Sequence, residues 1–234
     1  MEKIKAIVCL SGGVDSAVVL ANAIKWNRAI IAISFYYGSK HNPFELEAAK
    51  NLARHYQISW CRVDITGAFA LMVSNLLNHD ESGEIPEGHY EDKSMSQTVV
   101  PARNMVFASI LTGIAASRQI NEIYLGVHSG DHHIYPDCRP TFINAMNLAI
   151  RTSLGLDGRK NKKNYVRLLT PYIHHDKAYI VKEGIKLQVP FELTRTCYTA
   201  QEIACGKCGS CIERLEAFEK NGIKDPIRYI PGDK

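Results

Sequence analysis

Two short stretches of this chain hold residues whose types and spacing could do chemistry. The first is Ser11-Gly12-Gly13-Val14-Asp15-Ser16, which follows a strand-like run at 5–10 (KAIVCL) and opens a helical pattern at 15–26. A glycine-rich turn at such a junction lets backbone N–H groups approach an anion, and the helix dipole adds about half a positive charge. Ser11 and Ser16 add hydroxyl donors. The loop lacks the Gly-Lys-Ser/Thr ending of a Walker A motif, so it does not suggest γ-phosphate transfer. A Ser/Asp helix cap with glycines in a tight turn is the alternative. The complete SGGxDS pattern after a buried strand favours phosphate binding. The second stretch is Cys197-x7-Cys205-x2-Cys208-x2-Cys211, with Gly206 and Gly209 where the chain must fold around an ion. Four thiols at this spacing fit a closed, structural zinc site. An iron–sulfur cluster and free or redox-active thiols are the competing readings.

These residues need elements to position them. Runs at 5–10, 29–35 (AIIAISF), 60–64 (WCRVD) and 122–127 (EIYLGV) are short and β-branched, and three are almost continuously apolar. Strands buried on both faces of a parallel sheet have this character. Helical spacing fills 15–26, 43–56 and 101–118, the last with Val106, Phe107, Ile110, Leu111 and Ile114 on one face. A fifth strand is expected at 166–170 and a helix near 176–187. The alternation predicts an α/β fold: a doubly wound, mainly parallel five-stranded sheet with its crevice at the carboxyl ends of the strands. A polar loop at 78–99 reads equally as a lid or as a disordered insertion. The basic run 156–164 (LDGRKNKKN) reads as a solvated loop rather than a binding patch. From Pro190 the chain becomes cysteine-rich, dividing it into an α/β domain at 1–189 and a zinc-binding segment at 190–234.

Composition narrows the function. The chain has 234 residues, 46% hydrophobic and 22% charged, with 28 Lys+Arg against 24 Asp+Glu. The resulting charge of +4 is too small to suggest a nucleic-acid footprint, so direct nucleic-acid binding is not expected. The apolar runs fall short of the roughly 20 residues that span a bilayer, and the first residues lack a signal-peptide core, so no membrane role and a cytoplasmic location are expected. Of the three remaining cysteines, Cys9 and Cys61 are expected in buried strands as small apolar residues, and Cys138 in a substrate segment.

SGGVDS resembles the signature of the PP-loop, or N-type ATP pyrophosphatase, superfamily. These adenine nucleotide alpha hydrolase-like proteins cleave ATP between the α and β phosphates. Val100-Pro101-Ala102-Arg103-Asn104, Gly126-Val127-His128 with Asp131, Tyr135-Pro136-Asp137-Cys138-Arg139, Thr170-Pro171 before Asp176-Lys177, and Thr196-Cys197-Tyr198 follow in order. Together they resemble the 7-cyano-7-deazaguanine synthase (QueC) family of queuosine biosynthesis over nearly the whole chain. The family pattern reads SGGxDS, YGQRH, VPGRN, GxNxxD…YPDCR, TP…DK and SCY…CGxCxxC. This chain departs from it at Ser39-Lys40, Ala102, His128, His133-Ile134 and Arg195.

The resemblance implies adenylation of the carboxylate of 7-carboxy-7-deazaguanine by ATP, amidation with ammonia, and dehydration of the amide to the nitrile. Its nearest alternative is a paralogue that stops at the amide or uses another amine acceptor, including one on a partner protein. By position, Leu10, Ser11, Gly12, Gly13, Val14, Asp15 and Ser16 would hold ATP, with Mg²⁺ near Asp15. Arg103 and Lys177 would join Asp15 in catalysis. Tyr37, His41, Arg103, Asn104, Asp131, Tyr135, Asp137 and Arg139 would line the substrate pocket. Cys197, Cys205, Cys208 and Cys211 would bind one Zn²⁺, and the resemblance implies a homodimer. His128 and the His132-His133 pair read as ligands or a proton relay, or as structural histidines.

Overall fold

The β-branched runs pair into one parallel sheet in a computed structural model that describes residues 4–26, 29–79, 82–89, 93–156 and 165–231. Its first half comprises β1 (Ala6–Cys9), α1 (Val14–Trp26), β2 (Ile30–Tyr36), α2 (Asn42–His55), β3 (Ser59–Asp64) and the short α3 (Thr66–Phe69). The second half comprises α4 (Arg103–Arg118), β4 (Glu122–Tyr124), α5 (Pro140–Ser153), β5 (Arg167–Leu169), α6 (Lys177–Lys186) and α7 (Gly209–Lys220). The strand order is β3-β2-β1-β4-β5, and every pairing is parallel. The chain winds outward from β1 to β3, then returns to place β4 on the other side of β1. The loops after β1 and β4 therefore emerge side by side at the point where strand order reverses, where open α/β sheets bind ligands.

Alternating strand residues feed two cores. Ile7, Ile33, Phe35, Ile123 and Leu168 pack with Phe107 and Leu111 of α4 and Ile143 and Ile150 of α5. Ala6, Val8, Ala32 and Tyr124 pack on the opposite face with Val18 and Leu20 of α1, Ile180 of α6 and Phe218 of α7. Each fully buried large aliphatic or aromatic side chain contributes about 1.5–3 kcal/mol, so both faces hold the sheet in place. The central strands thus carry helices on both sides, as their apolar character predicts. Strand β3 does not. It is one of the sheet's two edges, and Cys61 is exposed on it, contrary to the expectation of a buried position. With β2 as its only strand neighbour among the described residues, β3 carries Arg62 and Asp64 outward as well.

Helix α4 begins two residues later than the spacing predicts, because Ala102 sits in the left-handed region at φ 55° and ψ 23°. Its fully buried residues are Phe107, Ala108, Leu111, Thr112 and Ala115, with Val106, Ile110 and Ile114 only partly covered at the margin of the core. Residues Ser94–Arg118 have the length and apolarity of a membrane span by composition alone. Here their helical part packs on β4 and α5 as a crossover helix. A Cβ costs about 1–2 kcal/mol in the left-handed region. Ala102→Gly is therefore expected to stabilise the protein by about 1 kcal/mol, raising Tm by roughly 2–4 °C in thermal denaturation. An unchanged or lower Tm would show that the left-handed turn carries no strain.

The described part of the 78–99 loop lies against the cysteine segment. Glu87 bridges to Cys208, Gly88 N–H donates to the Lys207 carbonyl at 3.1 Å, and Met95 and Thr98 are buried. In the basic run at 156–164, residues 157–164 lie outside the described residues.

Candidate active site and metal centre

The phosphate-loop motif occupies the turn from β1 into α1. Gly12 takes φ +92°, and a Cβ there would stand 2.3 Å from the Glu45 carbonyl oxygen, so the tight approach of α2 requires glycine. Gly13 N–H donates to Ser11 Oγ at 3.2 Å, Ser16 Oγ donates to the Gly13 carbonyl at 3.0 Å, and the two serine hydroxyls lie 3.0 Å apart. From across the cleft, Arg195 N–H donates to the Gly12 carbonyl at 2.8 Å. The turn is thus braced by its own serines and by the C-terminal segment.

Asp15, in the first turn of α1, faces residues from two other elements. Its Oδ2 lies 3.2 Å from Lys177 Nζ, at the start of α6, and its Oδ1 lies 3.8 Å from His128 Nε2, in the loop after β4. Asp131 Oδ2 stands 3.6 Å from the same histidine nitrogen. Glu213 of α7 approaches Lys177 Nζ at 2.7 Å. Burial pushes the Asp15 carboxyl up, but the Lys177 ammonium and His128 outweigh it and leave Asp15 below the usual carboxylate range. Burial works against the Lys177 ammonium, yet Asp15, Glu213 and Asp131 raise its pKa well above the ordinary lysine value. His128 Nδ1 accepts from Gly130 N–H at 3.1 Å, which places any single ring proton on Nε2, toward the two carboxylates. Asp15 Oδ1 and His128 Nε2 are nevertheless buried with no hydrogen-bond partner among the described residues. Three carboxylates around one ammonium, with a carboxylate oxygen to spare beside an anion loop, fit the divalent cation of a bound nucleotide.

The cleft continues from the loop toward an aromatic end. Leu10, Ser11, Gly13, Asp15, Ser16, Tyr37, His41, Arg103, Asn104, Asp131, Tyr135 and Lys177 all line it, so most of the expected site residues come together. Arg103, the first residue of α4, donates from Nη1 to Tyr37 OH at 3.2 Å and lies over the Tyr37 and Tyr135 rings at 5.8 and 5.9 Å. Such stacking suits a planar cation that must face a carboxylate or phosphate. Val14 instead packs into the core, and Gly12 turns the backbone without lining the cleft. Asp137 accepts from Asn104 N–H at 2.8 Å and caps the start of α4. Arg139 Nε donates to the His132 carbonyl at 2.7 Å, outside the cleft lining. Neither Asp137 nor Arg139 reaches the pocket in this conformation.

Some cleft residues, Glu45 among them, lie outside the motifs, and others flank the first cysteine of the tail. Glu45 of α2 lies 3.5 Å from His41. Burial pushes the Glu45 carboxyl up to about 8 and the His41 imidazole down to about 3, so the contact is one between largely neutral groups near pH 7. Arg195, Thr196, Tyr198 and Ser210 reach the cleft from the C-terminal segment. Arg195 also gathers that segment's backbone, donating to the carbonyls of Glu202, Thr199 and Gln201. Cys9 and Cys138 line the cleft as well, but burial raises the Cys9 thiol to about 12 and Cys138 higher, which argues against either as a nucleophile.

The four C-terminal cysteines converge. Their Sγ atoms all lie within 4.8 Å of one another, with Cys205 and Cys211 3.9 Å apart. A tetrahedron of thiolates about 2.3 Å from an ion places sulfurs roughly 3.8 Å apart, so the cluster could hold a metal. Backbone N–H groups already point at the sulfurs: Cys205 N to Cys197 Sγ at 3.3 Å, and Lys207 N and Cys208 N to Cys205 Sγ at 3.4 and 3.3 Å. Beneath the cluster, the buried Arg214 guanidinium pairs with both Asp225 oxygens at 2.6 and 2.8 Å and donates to Thr194 Oγ1 and Thr196 Oγ1. It thereby fixes the strand-like segment whose Arg195 N–H braces the phosphate loop.

Known proteins resemble this chain in sequence and fold. A family model described as "Queuosine biosynthesis protein QueC" matches residues 5–222. A 7-cyano-7-deazaguanine synthase of Marinomonas sp. (strain MWYL1) is 46% identical over 96% of this chain and 98% of its own length. A protein of the same name from Hahella chejuensis (strain KCTC 2396) is 40% identical over 96% and 93% of the two chains. Among solved structures, NMN synthetase from Francisella tularensis shares the fold, with a TM-score of 0.50, 15% identity, and coverage of 94% of this chain and 78% of that one. A phosphate loop at the strand-order reversal, a four-cysteine tail and similarity along nearly the full length place the chain in the QueC family of queuosine-biosynthesis proteins.

Proposed function

We propose that this chain is an ATP-dependent ligase that converts 7-carboxy-7-deazaguanine to its nitrile. The observation that carries the reading is the Asp15 cluster beside the SGGVDS loop, in a chain similar end to end to 7-cyano-7-deazaguanine synthases. The substrate carboxylate attacks the α-phosphorus of ATP and expels pyrophosphate. Ammonia then attacks the acyl carbon, and AMP leaves with one carboxylate oxygen. The amide oxygen attacks the α-phosphorus of a second ATP and expels pyrophosphate, the nitrogen gives up one proton, and elimination of AMP with the second proton leaves the carbon–nitrogen triple bond.

The residues supply positioning and charge rather than a nucleophile. The loop N–H groups and serines hold the phosphates, and Arg103 faces the charge that develops between carboxylate and α-phosphate. Asp15 would hold Mg²⁺, whose chemistry is to neutralise the phosphate oxygens. The neutral His41–Glu45 pair and the rings of Tyr37, Tyr135 and Tyr198 suit a flat, hydrogen-bonding heterocycle. Asp131 would serve the same cleft, while Asp137 and Arg139 would take part only after a rearrangement. The four cysteines would hold one structural Zn²⁺. A homodimer and a cytoplasmic location complete the proposal.

The test is product mass. With ATP, Mg²⁺, ammonium and 7-carboxy-7-deazaguanine, the nitrile is expected, and two AMP per nitrile. Accumulation of the amide as the only product would overturn the nitrile-forming reading.

A further inference from the structure

Glu213 belongs to none of the motifs above, yet it joins the metal segment to the phosphate loop. It lies two residues after Cys211 in α7, and its carboxylate stands 2.7 Å from Lys177 Nζ. Lys177 in turn stands 3.2 Å from Asp15 Oδ2. One buried ammonium is thus shared between two carboxylates, one on the catalytic loop and one on the helix that the four cysteines anchor. The fit around Glu213 is close: a Cβ on Gly130 would lie 2.7 Å from Glu213 Oε1 and 2.9 Å from the His128 ring. The absence of a side chain at Gly130 is what lets the carboxylate come alongside the His128 loop.

We propose that Glu213 is a positioning residue, holding the Lys177 ammonium off-centre so that Asp15 keeps an oxygen for the divalent cation that accompanies the nucleotide. This rests on the reading of the cleft as an ATP site. The buried, unpartnered Oδ1 of Asp15 is the atom that the arrangement keeps free. Without the Glu213 charge, Lys177 has Asp15 as its closest remaining counter-charge and competes with the cation for it. The metal segment then acts on the reaction through one carboxylate, in addition to stabilising the fold.

The experiment uses the full, metal-loaded chain and titrates Mg²⁺ against binding of a fluorescent ATP analogue. Glu213→Gln keeps the side chain's shape and removes its charge. It is expected to raise the half-saturating Mg²⁺ concentration about fivefold or more, with the same plateau at high Mg²⁺, the same metal content and a Tm within a few degrees of the wild type. Gly130→Ala, which displaces the carboxylate sterically, is expected to shift the Mg²⁺ dependence in the same direction, and Glu213→Asp to fall between. Unchanged Mg²⁺ dependence in Glu213→Gln would overturn the proposal, as would a uniform loss of binding at all Mg²⁺ concentrations. If the wild-type chain fails to bind the analogue, the ATP-site reading falls and this inference with it. If the wild type binds with Mg²⁺ and the variant matches it, only the role of Glu213 falls.

Discussion

Asp15→Asn is expected to reduce AMP release about a thousandfold while costing no more than about 1–2 kcal/mol of stability. The asymmetry follows from the surroundings of the carboxylate. Losing a cation ligand beside transferring phosphates removes several kcal/mol of charge stabilisation, and each tenfold in rate corresponds to about 1.4 kcal/mol. Folding depends on it far less. Lys177 keeps its 2.7 Å contact with Glu213, and the amide can still accept from Lys177. His128 also keeps its contact with Asp131. Steady-state AMP release and thermal denaturation on the same preparation decide the matter. If the loss of rate merely tracks a loss of folded protein, Asp15 is a helix-start residue with a structural role.

Cys208→Ser is expected to have the largest effect on stability, at least about 5 kcal/mol, lowering Tm by roughly 10–20 °C. Cys208 is buried, precedes the first turn of α7 and bridges to Glu87 of the 78–99 loop. Without the metal, four thiols must remain crowded with nothing to draw them together. The Arg214 clamp and the Arg195 brace on the phosphate loop depend on the same segment, so nucleotide binding should weaken together with the fold. Elemental analysis of the wild type should find about one zinc per chain. Calorimetry with elemental analysis checks both statements, and an unchanged Tm on metal loss would remove the cluster from the folding account.

What the sequence makes legible here are features encoded locally. The SGGVDS turn, the apolar central strands and the CxxCxxC spacing depend on neighbouring residues, and each lies where its pattern predicts. Contacts assembled by tertiary packing are hidden. Glu45, Glu213 and Arg214 are single charged residues on α2 or α7, with no period or motif to set them apart from a solvated face. Their roles appear only once α2 and α7 are packed against the loop. The reverse pattern arises at Arg139 and Asp137. Both sit in a motif rich in site-like residues, but one is engaged by backbone carbonyls and the other caps α4. Cys61 shows a third limit, because a β-branched run does not reveal whether its strand lies at the centre or the edge of a sheet.

In the proposed reaction, oxygen on the substrate, not water, attacks the α-phosphorus at the Asp15 loop. It is tested most directly with 7-carboxy-7-deazaguanine labelled with ¹⁸O in both carboxylate oxygens. Mass spectrometry should find one ¹⁸O in each of the two AMP molecules released per nitrile, the first from the acyl adenylate and the second from the amide oxygen. Unlabelled AMP, or ADP in place of AMP, would contradict it.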